Sequence, residues 1–206
     1  MHNHNLKAKY RDTINFSANY STYSNNAIKR VIAMVTITFL VAACTGIPKG
    51  VDPIDDFQVD RYLGTWYEIA RLDHSFERGL SNVTAEYSLK KDGGITVLNK
   101  GFSKEKQEWK TAEGKAYFVG NKDTGHLKVS FFGPFYSSYI IFKLDKTGYQ
   151  YAYIAGYNTD YLWLLARTPT VSEEVKNDFK KTSSSLGFNT GELIFVDQSS
   201  ASSPAK

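Results

Sequence analysis

The sequence has few of the residues and motifs on which most enzymes and disulfide-stabilised proteins depend. Its 206 residues include one cysteine, Cys44, so an internal disulfide framework is excluded. It contains no nucleophile elbow, no phosphate-binding glycine loop and no pair of histidines at metal-ligand spacing. The four histidines are isolated, and solvated or capping roles are expected for them: His2, His4, His74 and His126. We therefore predict no catalytic residues, no metal site and no cofactor.

Runs of one charge sign are also missing. The chain carries 25 lysine and arginine residues against 21 aspartate and glutamate residues, a formal net charge of +4. The basic residues stand singly along predicted strands and turns, which is typical of a solvated face rather than of a nucleic-acid-binding surface. With 42% hydrophobic residues and five prolines, the composition suits a single core. No nucleic-acid partner is expected.

Hydrophobic runs long enough to span a membrane are lacking as well. The apolar run over residues 31–43 falls short of the roughly 20 residues that a bilayer requires. Lys29 and Arg30 precede it and small residues end it at Cys44, as in a secretory signal peptide. A buried core helix is the alternative, but the position of the sole cysteine favours the signal. We predict a signal peptide over residues 27–43, preceded by a disordered segment over residues 1–26.

The segment Val41-Ala42-Ala43-Cys44 resembles the lipobox of bacterial lipoproteins, whose cysteine is lipidated and becomes the new N-terminus. The resemblance implies lipidation of Cys44 and a membrane anchor. Thr45 is not an aspartate, which in such lipoproteins implies sorting to the outer membrane, so we expect a lipid-anchored bacterial protein that faces the periplasm. Glycines and prolines over residues 44–56 predict a tether, and residues 198–206 are predicted to form a flexible polar tail.

Short alternating segments separated by turn residues occupy residues 57–197 and predict one antiparallel all-β domain. After a first strand that begins at Gly64, further strands are predicted over residues 82–90, 95–102, 114–120, 127–131, 138–145, 149–156 and 161–167. Asp92-Gly93-Gly94 predicts a tight hairpin. About eight strands are enough to enclose side chains or one small ligand.

One helix is predicted after these strands. Thr170 and Glu173 form a capping box at its start, and Gly187 suits its C-terminal cap. An apolar residue recurs at every fourth position, which predicts a narrow stripe that packs against the strands. The stripe consists of Val171, Val175 and Phe179. Residues 192–196 are then predicted to add a final strand beside the first one.

Three motifs in these strands carry a family resemblance. Gly64-Thr65-Trp66 opens the first strand, Thr159-Asp160-Tyr161 opens a late one, and Arg167 follows the last. In this order and at these separations they resemble the lipocalin motifs, and with residues 131–136 they resemble the bacterial outer-membrane lipocalins in particular, over about residues 57–196. The resemblance implies an eight-stranded antiparallel up-and-down β-barrel with one C-terminal α-helix packed on its wall. It also implies that Arg167 packs across Trp66 at the closed end, a structural role for both.

Alternation within the strands predicts which side chains line the interior of the barrel. In the first strand Trp66, Glu68 and Ala70 share the inner face and Arg71 lies on the outer one, so a buried carboxylate with a partner or a raised pKa is implied. The partner of Glu68 and the faces of residues 149–156 stay open. The predicted ligand-binding residues are Tyr87, Val97, Tyr117, Val129, Phe131, Tyr139, Tyr161 and Trp163. The remaining inward residues are Val83, Ala85, Leu89, Ile95, Leu127, Ile141 and Leu165.

The aromatic and aliphatic lining predicts a carrier. An anchored cup of this kind suits single-chain lipids, so the expected function is storage or transport of fatty acids or lysophospholipids for outer-membrane maintenance. A carrier of haem, another tetrapyrrole or another small hydrophobe stays open, and haem would require an inward His74 or His126. A structural envelope lipoprotein with a filled barrel also stays open, as does a homodimer. Lipocalin-like enzymes use a cysteine inside the cup, whereas Cys44 is assigned to the anchor, so no enzyme is expected.

Overall fold

The computed structural model describes residues 44–199. The predicted N-terminal segment, the signal peptide and residues 200–206 of the predicted tail lie outside the described residues. The strands are β1 Gly64–Arg71, β2 Leu80–Leu89, β3 Ile95–Ser103, β4 Glu108–Phe118, β5 His126–Phe132, β6 Phe135–Leu144, β7 Tyr151–Ala155, β8 Leu162–Ala166 and β9 Ile194–Phe195. The helices are α1 Val59–Tyr62 and α2 Glu173–Ser185, with a 3₁₀ turn at Thr190–Glu192. No helix within residues 44–199 has the length and apolar character needed to cross a membrane.

The strands close into a barrel. Each strand from β2 to β8 pairs antiparallel with the next, and β1 pairs with both β8 and β2. The first half of β1 pairs with β2, whereas Ala70 and Arg71 near its end pair with the short strand β9. The predicted eight-stranded antiparallel barrel is confirmed, and the predicted final strand does lie beside the first one.

The barrel has one closed end and one open end. The closed end contains the start of β1 and the end of β8, where Trp66 is fully buried. The open end, called the mouth below, contains the loop over residues 72–79 between β1 and β2 and the turn between β5 and β6. Side chains inside the barrel form one apolar cluster, and a second cluster lies outside it, between the wall and α2.

Helix α2 packs on the outer cluster, as the resemblance implies. The ring of Phe179 contacts the ring of Tyr153 edge-on at 4.9 Å between centroids, and the Tyr153 hydroxyl donates to a carboxylate oxygen of Asp178 at 2.7 Å. Tyr153 therefore points outward from β7, while Ala152 and Ile154 belong to the inner cluster. These contacts settle the faces of a strand whose uniformly bulky sequence left them open.

The predicted start of α2 is wrong by two positions, and its predicted end is correct. Ser172, rather than Thr170, is the N-cap, and its hydroxyl accepts a hydrogen bond from the Val175 N–H at 3.3 Å. The hydroxyl of Thr170 is two residues too early to reach the first turn. At the other end Gly187 has a φ of 87°, which only glycine adopts without cost, and this allows Phe188 N–H to reach the carbonyl of Ser183.

The segments that precede and follow the barrel are attached to it. Val51 is buried, and the N–H of Ile54 donates to the carbonyl of Ile141, so much of the predicted tether lies along the wall. Gln198, predicted as the first residue of a flexible tail, is also buried. Its side-chain amide donates to the carbonyls of Glu68 and Val83. The amide thereby connects β1 and β2 at the point where their backbone pairing ends.

Candidate functional site

The barrel encloses a cavity of about 590 Å³ that opens at the mouth. This volume lies within the range of roughly 300 to 1,000 Å³ that is typical of small-molecule sites. Seven of the eight predicted ligand-binding residues line it: Tyr87, Val97, Val129, Phe131, Tyr139, Tyr161 and Trp163. The interior of the barrel is therefore a cup and is not filled by its own side chains.

Small inward residues on β4 help to leave this space open. Ala112 and Ala116 line the cavity, and Gly114 shares their face of the strand. A Cβ atom at Gly114 would lie 2.8 Å from the ring of Phe131, so the aromatic ring occupies the space that a side chain would need. Lys110 continues the same face to the mouth and places a positive charge at the entrance.

Two inward predictions outside β1 are wrong. Tyr117 lies on the outer face of β4, because its neighbour Ala116 faces the cavity; its hydroxyl donates to a carboxylate oxygen of Asp92 at 3.0 Å. Its ring packs against that of Tyr136. Leu89 continues the inward alternation of β2 but ends the strand beyond the closed end of the cup, where its side chain is 53% exposed.

The closed end contains the predicted pair of Trp66 and Arg167. The guanidinium carbon of Arg167 lies 4.0 Å from the centre of the Trp66 ring system. Its NH groups donate to the carbonyls of Thr65 at 2.9 Å and Arg61 at 2.7 Å, while the Trp66 indole N–H donates to the carbonyl of Tyr62 at 2.7 Å. These contacts connect β1, β8 and α1, which supports the structural role proposed for both residues.

Three tyrosines lie inside the cup next to the Trp66–Arg167 pair. The hydroxyl oxygen of Tyr139 is 2.7 Å from that of Tyr62 and 2.8 Å from that of Tyr87. The ring of Tyr62 lies 4.6 Å from that of Trp66, so the three hydroxyls mark the floor of the cavity. Burial raises the pKa of all three phenols, which are therefore protonated hydrogen-bond donors at neutral pH.

A β-bulge at Ile69 places Arg71 inside the barrel, where alternation predicted it outside. Glu68 pairs with Leu165 of β8 and Ala70 with Leu164, so Ile69 is an extra residue in the ladder. Every later side chain of β1 is consequently shifted to the opposite face. Ala70, predicted inside, therefore belongs to the outer cluster.

The partner of Glu68 is this arginine. A terminal nitrogen of Arg71 lies 2.6 Å from a carboxylate oxygen of Glu68, and the other donates to the backbone carbonyl of Glu77 at 2.9 Å. A carboxylate oxygen of Glu77 accepts from the indole N–H of Trp163 at 3.0 Å. Both glutamates line the cavity, so a charged trio, Glu68–Arg71–Glu77, interrupts its apolar wall.

The trio has one cation for two carboxyl groups. Burial raises the pKa of Glu68 well above its ordinary value, and the negative charge of Glu77 raises it further. Burial also raises the pKa of Glu77, although the Trp163 indole hydrogen bond and Arg71 oppose that shift. A single proton held between the two carboxyls would leave the trio electrically neutral with Arg71. Sequence alternation indicated Glu68 but gave no signal for Arg71 or for Glu77, which lies in a loop.

Aromatic side chains surround the mouth. Phe132 and Phe135, which flank the turn between β5 and β6, are 82% and 69% exposed. Phe76, in the loop between β1 and β2, is 59% exposed. All three line the entrance of the cavity. A mouth of this kind presents apolar surface to whatever the protein meets there.

Both described histidines are buried, so the predicted solvated roles are wrong. His74 stacks between the rings of Phe76 and Tyr161, and burial lowers its pKa to about 4. His126 begins β5, and its neighbour Leu127 faces the cavity. Neither histidine is among the residues that line the cavity. Within residues 44–199 no group of three or more His, Cys, Asp or Glu side chains is placed to hold a metal ion.

Comparison with known proteins gives the family. A model of the lipocalin-like domain matches residues 57–198. The chain is a lipocalin. It is 57% identical over 169 residues to the outer membrane lipoprotein Blc of Vibrio cholerae, an alignment that covers 82% of this chain and 99% of that protein. It is 49% identical over 170 residues to the outer membrane lipoprotein Blc of Escherichia coli K12, covering 82% of this chain and 96% of that one.

Solved structures agree with the barrel. Insecticyanin of the tobacco hornworm Manduca sexta has a TM-score of 0.61 and 22% identity, covering 76% of the lipocalin and 88% of that chain. The cockroach allergen Per a 4 has a TM-score of 0.59 and 21% identity, covering 76% and 98%. At this identity the likeness concerns the fold alone. The bacterial relatives confirm the prediction that this chain is an outer-membrane lipoprotein. Its membership in the lipocalin family supports a role in binding hydrophobic molecules.

Proposed function

We propose that this lipocalin binds single-chain amphiphiles, fatty acids or lysophospholipids, and stores or transports them for maintenance of the outer membrane. The observation that carries the proposal is the open cavity of about 590 Å³. Its walls are aliphatic and aromatic, and each methylene group buried there would contribute about 0.8 kcal/mol to binding. A phospholipid with two acyl chains fits less well, because an eight-stranded barrel holds one small ligand.

The distribution of polar groups supports an acyl chain that enters tail first. The ammonium group of Lys110 stands at the mouth, where a phosphate or carboxylate head group would meet it and remain in contact with water. Between the mouth and the floor, Val97 and Val129 provide an apolar wall. The indole of Trp163 lies on this path, held by its hydrogen bond to Glu77.

Replacing Trp163 with alanine is expected to weaken lysophospholipid binding about tenfold, or about 1.4 kcal/mol, because the acyl chain loses a large flat contact. Titration calorimetry below the critical micelle concentration measures this affinity directly. Trp109→Ala is the matched control, since Trp109 lies on the outer face of β4 and is 49% exposed. Its affinity should equal that of the wild type.

Two outcomes would contradict the proposal. Equal affinities for Trp163→Ala and Trp109→Ala would mean that the chain does not lie along the Trp163 wall. Micromolar binding of haem, with no heat from lysophospholipid, would favour the tetrapyrrole carrier instead.

The attachment of residues 46–54 to the wall supports an anchor close to the mouth. The hydroxyl of Ser138 donates to the carbonyl of Gly46 at 2.8 Å, and Ser138 lies in the half of β6 that begins at the mouth. Cys44 is two residues away, so its α-carbon lies within about 7 Å of that of Gly46. A lipid on Cys44 would enter the membrane beside Phe132 and Phe135, and the mouth would face the membrane surface.

Cys44→Ala is expected to convert a membrane-sedimenting protein into a soluble one with the same circular dichroism spectrum. Several acyl chains are needed for stable attachment, and the variant loses all of them. In the anchored wild type, a water-soluble amine reagent should label Lys91 in the turn between β2 and β3 at the closed end. It should label Lys106, in the turn between β3 and β4 at the mouth, several times more slowly.

The released Cys44→Ala protein is the control for this labelling, because both lysines should react alike once the membrane no longer covers the mouth. Sedimentation of Cys44→Ala in high salt would rule out the anchor. Rapid labelling of Lys106 with protection of Lys91 would show that the closed end faces the membrane.

A further inference from the structure

The floor of the cup contains one hydrogen-bond donor that no described protein group accepts. Tyr62, Tyr139 and Tyr87 each carry one O–H group, and two hydroxyl–hydroxyl contacts join them into an open chain with Tyr139 at the centre. An open chain of three hydroxyls uses two of its three protons. No other protein group within residues 44–199 forms a hydrogen bond with any of the three hydroxyls, so one O–H group has no acceptor.

This spare donor is accessible from the cavity. All three tyrosines line it, and Tyr139 is only half-buried although it lies inside the barrel, because its exposed part faces the cavity. Hydroxyl protons rotate, so the free O–H can be supplied by whichever tyrosine the ligand approaches. The side chains of Ile95, Val97 and Phe57, which belong to the same inner cluster, are apolar and offer no competing acceptor.

We propose that the tyrosine floor is a binding site for a neutral oxygen at the far end of an acyl chain, a terminal hydroxyl or carbonyl group. The proposal rests on the proposed function, since the chain must first occupy the cup. An oxygen at this depth accepts the spare O–H, and a ligand hydroxyl can in turn donate to a phenol oxygen. The site therefore suits chains that carry an oxygen at both ends, such as ω-hydroxy fatty acids and their lysophospholipid esters.

The floor favours a neutral oxygen over a carboxylate. An ionised group there would lose its hydration, and the guanidinium of Arg167, which packs on Trp66, already donates to backbone carbonyls. A fatty acid that entered head first would therefore leave an unpaired negative charge at the floor. A hydroxyl loses only hydrogen bonds to water, and the tyrosines replace them.

The test compares hexadecanoic acid with 16-hydroxyhexadecanoic acid by competitive displacement of a fluorescent fatty acid. The full-length wild-type protein should bind the hydroxy acid at least as tightly as the parent acid. The triple variant Tyr62→Phe/Tyr87→Phe/Tyr139→Phe should bind the hydroxy acid about tenfold more weakly than the parent, because a buried hydroxyl then has no partner. Three replacements are needed, since an open chain of two hydroxyls still has one spare donor. Tyr117→Phe, outside the cup, is the matched control and should behave as the wild type.

A second comparison uses the wild type alone and does not depend on the folding of the triple variant. Its probe is 8-hydroxyhexadecanoic acid, whose hydroxyl would lie against the aliphatic wall instead of the floor. We expect it to bind about tenfold more weakly than the 16-hydroxy isomer. Equal affinity of the wild type for the 8-hydroxy and 16-hydroxy isomers would overturn the floor site. The site would also be overturned if the wild type bound 16-hydroxyhexadecanoic acid as weakly, relative to hexadecanoic acid, as the triple variant does. Tight binding of hexadecanoic acid in that same experiment would leave the proposed function standing, whereas no binding of either acid would overturn both.

Discussion

Replacing Arg71 with methionine should lower the free energy of unfolding by about 3 to 5 kcal/mol at pH 8, the range measured when one partner of a buried ion pair is removed. Arg71 is 1% exposed and holds both the carboxylate of Glu68 and the backbone of Glu77. Methionine is unbranched and fills much of the same volume as arginine. The loss in free energy of unfolding therefore comes mainly from the two buried carboxyl groups that no longer have a cation beside them. Urea unfolding followed by tryptophan fluorescence measures it.

The loss should depend on pH in a defined direction. Carboxyl groups of the unfolded chain titrate near pH 4.3, whereas burial raises the pKa of Glu68 and of Glu77 in the folded protein. Without Arg71 these values rise further, so above about pH 4.5 the folded variant binds more protons than the unfolded chain. Stability then decreases as pH rises. The difference between variant and wild type should therefore be smallest near pH 5 and increase toward pH 8.

Two companion variants separate charge from packing. Arg78→Met removes an arginine from the loop that follows β1, but Arg78 is exposed and its ion pair is with exposed Asp73, so a loss of less than about 1 kcal/mol is expected. The double variant Glu68→Gln/Arg71→Met removes one of the unpaired carboxyls and should recover a large part of the lost stability. Equal, pH-independent losses in Arg71→Met and Arg78→Met would contradict a buried charged trio.

Arg167→Ala should cost about 1 to 3 kcal/mol of stability and leave ligand affinity unchanged. The variant loses the cation–π contact with Trp66 and opens a cavity over the indole. It also leaves the carbonyls of Thr65 and Arg61 without the donors that now join β8 to β1 and α1. Fluorescence emission of Trp66 should move to longer wavelength, because water reaches a ring that is fully buried in the wild type.

Arg61→Ala is the matched control for this variant. Its guanidinium also lies 4.0 Å from an aromatic ring, that of Tyr149, and donates to two carbonyls, but Arg61 is exposed. We expect a loss of less than about 1 kcal/mol, since exposed cation–π contacts contribute little. A large loss of lysophospholipid affinity in Arg167→Ala at unchanged stability would place the ligand at the closed end of the barrel.

The sequence alone determined the barrel and its closed end, because the features that encode them are local. Alternation of period two identifies strands without reference to their partners. Trp66 and Arg167 are far apart in the chain, yet each sits at the end of its own strand, two residues from Gly64 and Pro169 respectively, so their motifs could be read separately. Their contact at the closed end was implied by the resemblance to the lipocalins. The inner faces of β2, β3, β5 and β8 followed correctly from the same alternation.

Tertiary structure decided the polar groups inside the cup. β1 exchanges its pairing partner from β2 to β9 along its length, and the bulge at Ile69 shifts the later residues to the opposite face. A count by twos cannot detect one extra residue, which is why Arg71 was placed outside. The position of Glu77 depends on a loop that folds back over the mouth, and no periodicity describes a loop.

Strand β4 shows a second limit of the same kind. Between Lys110 at the mouth and Phe118 at the closed end, its inward residues are small, namely Ala112, Gly114 and Ala116. Bulky Tyr117 lies outside against Tyr136. A strand that lines a ligand cavity need not place its larger side chains inside, because the space belongs to the ligand. Size and hydrophobicity therefore identify the inner face of a packed core, but the inner face of a cup is decided by what the neighbouring strands leave open.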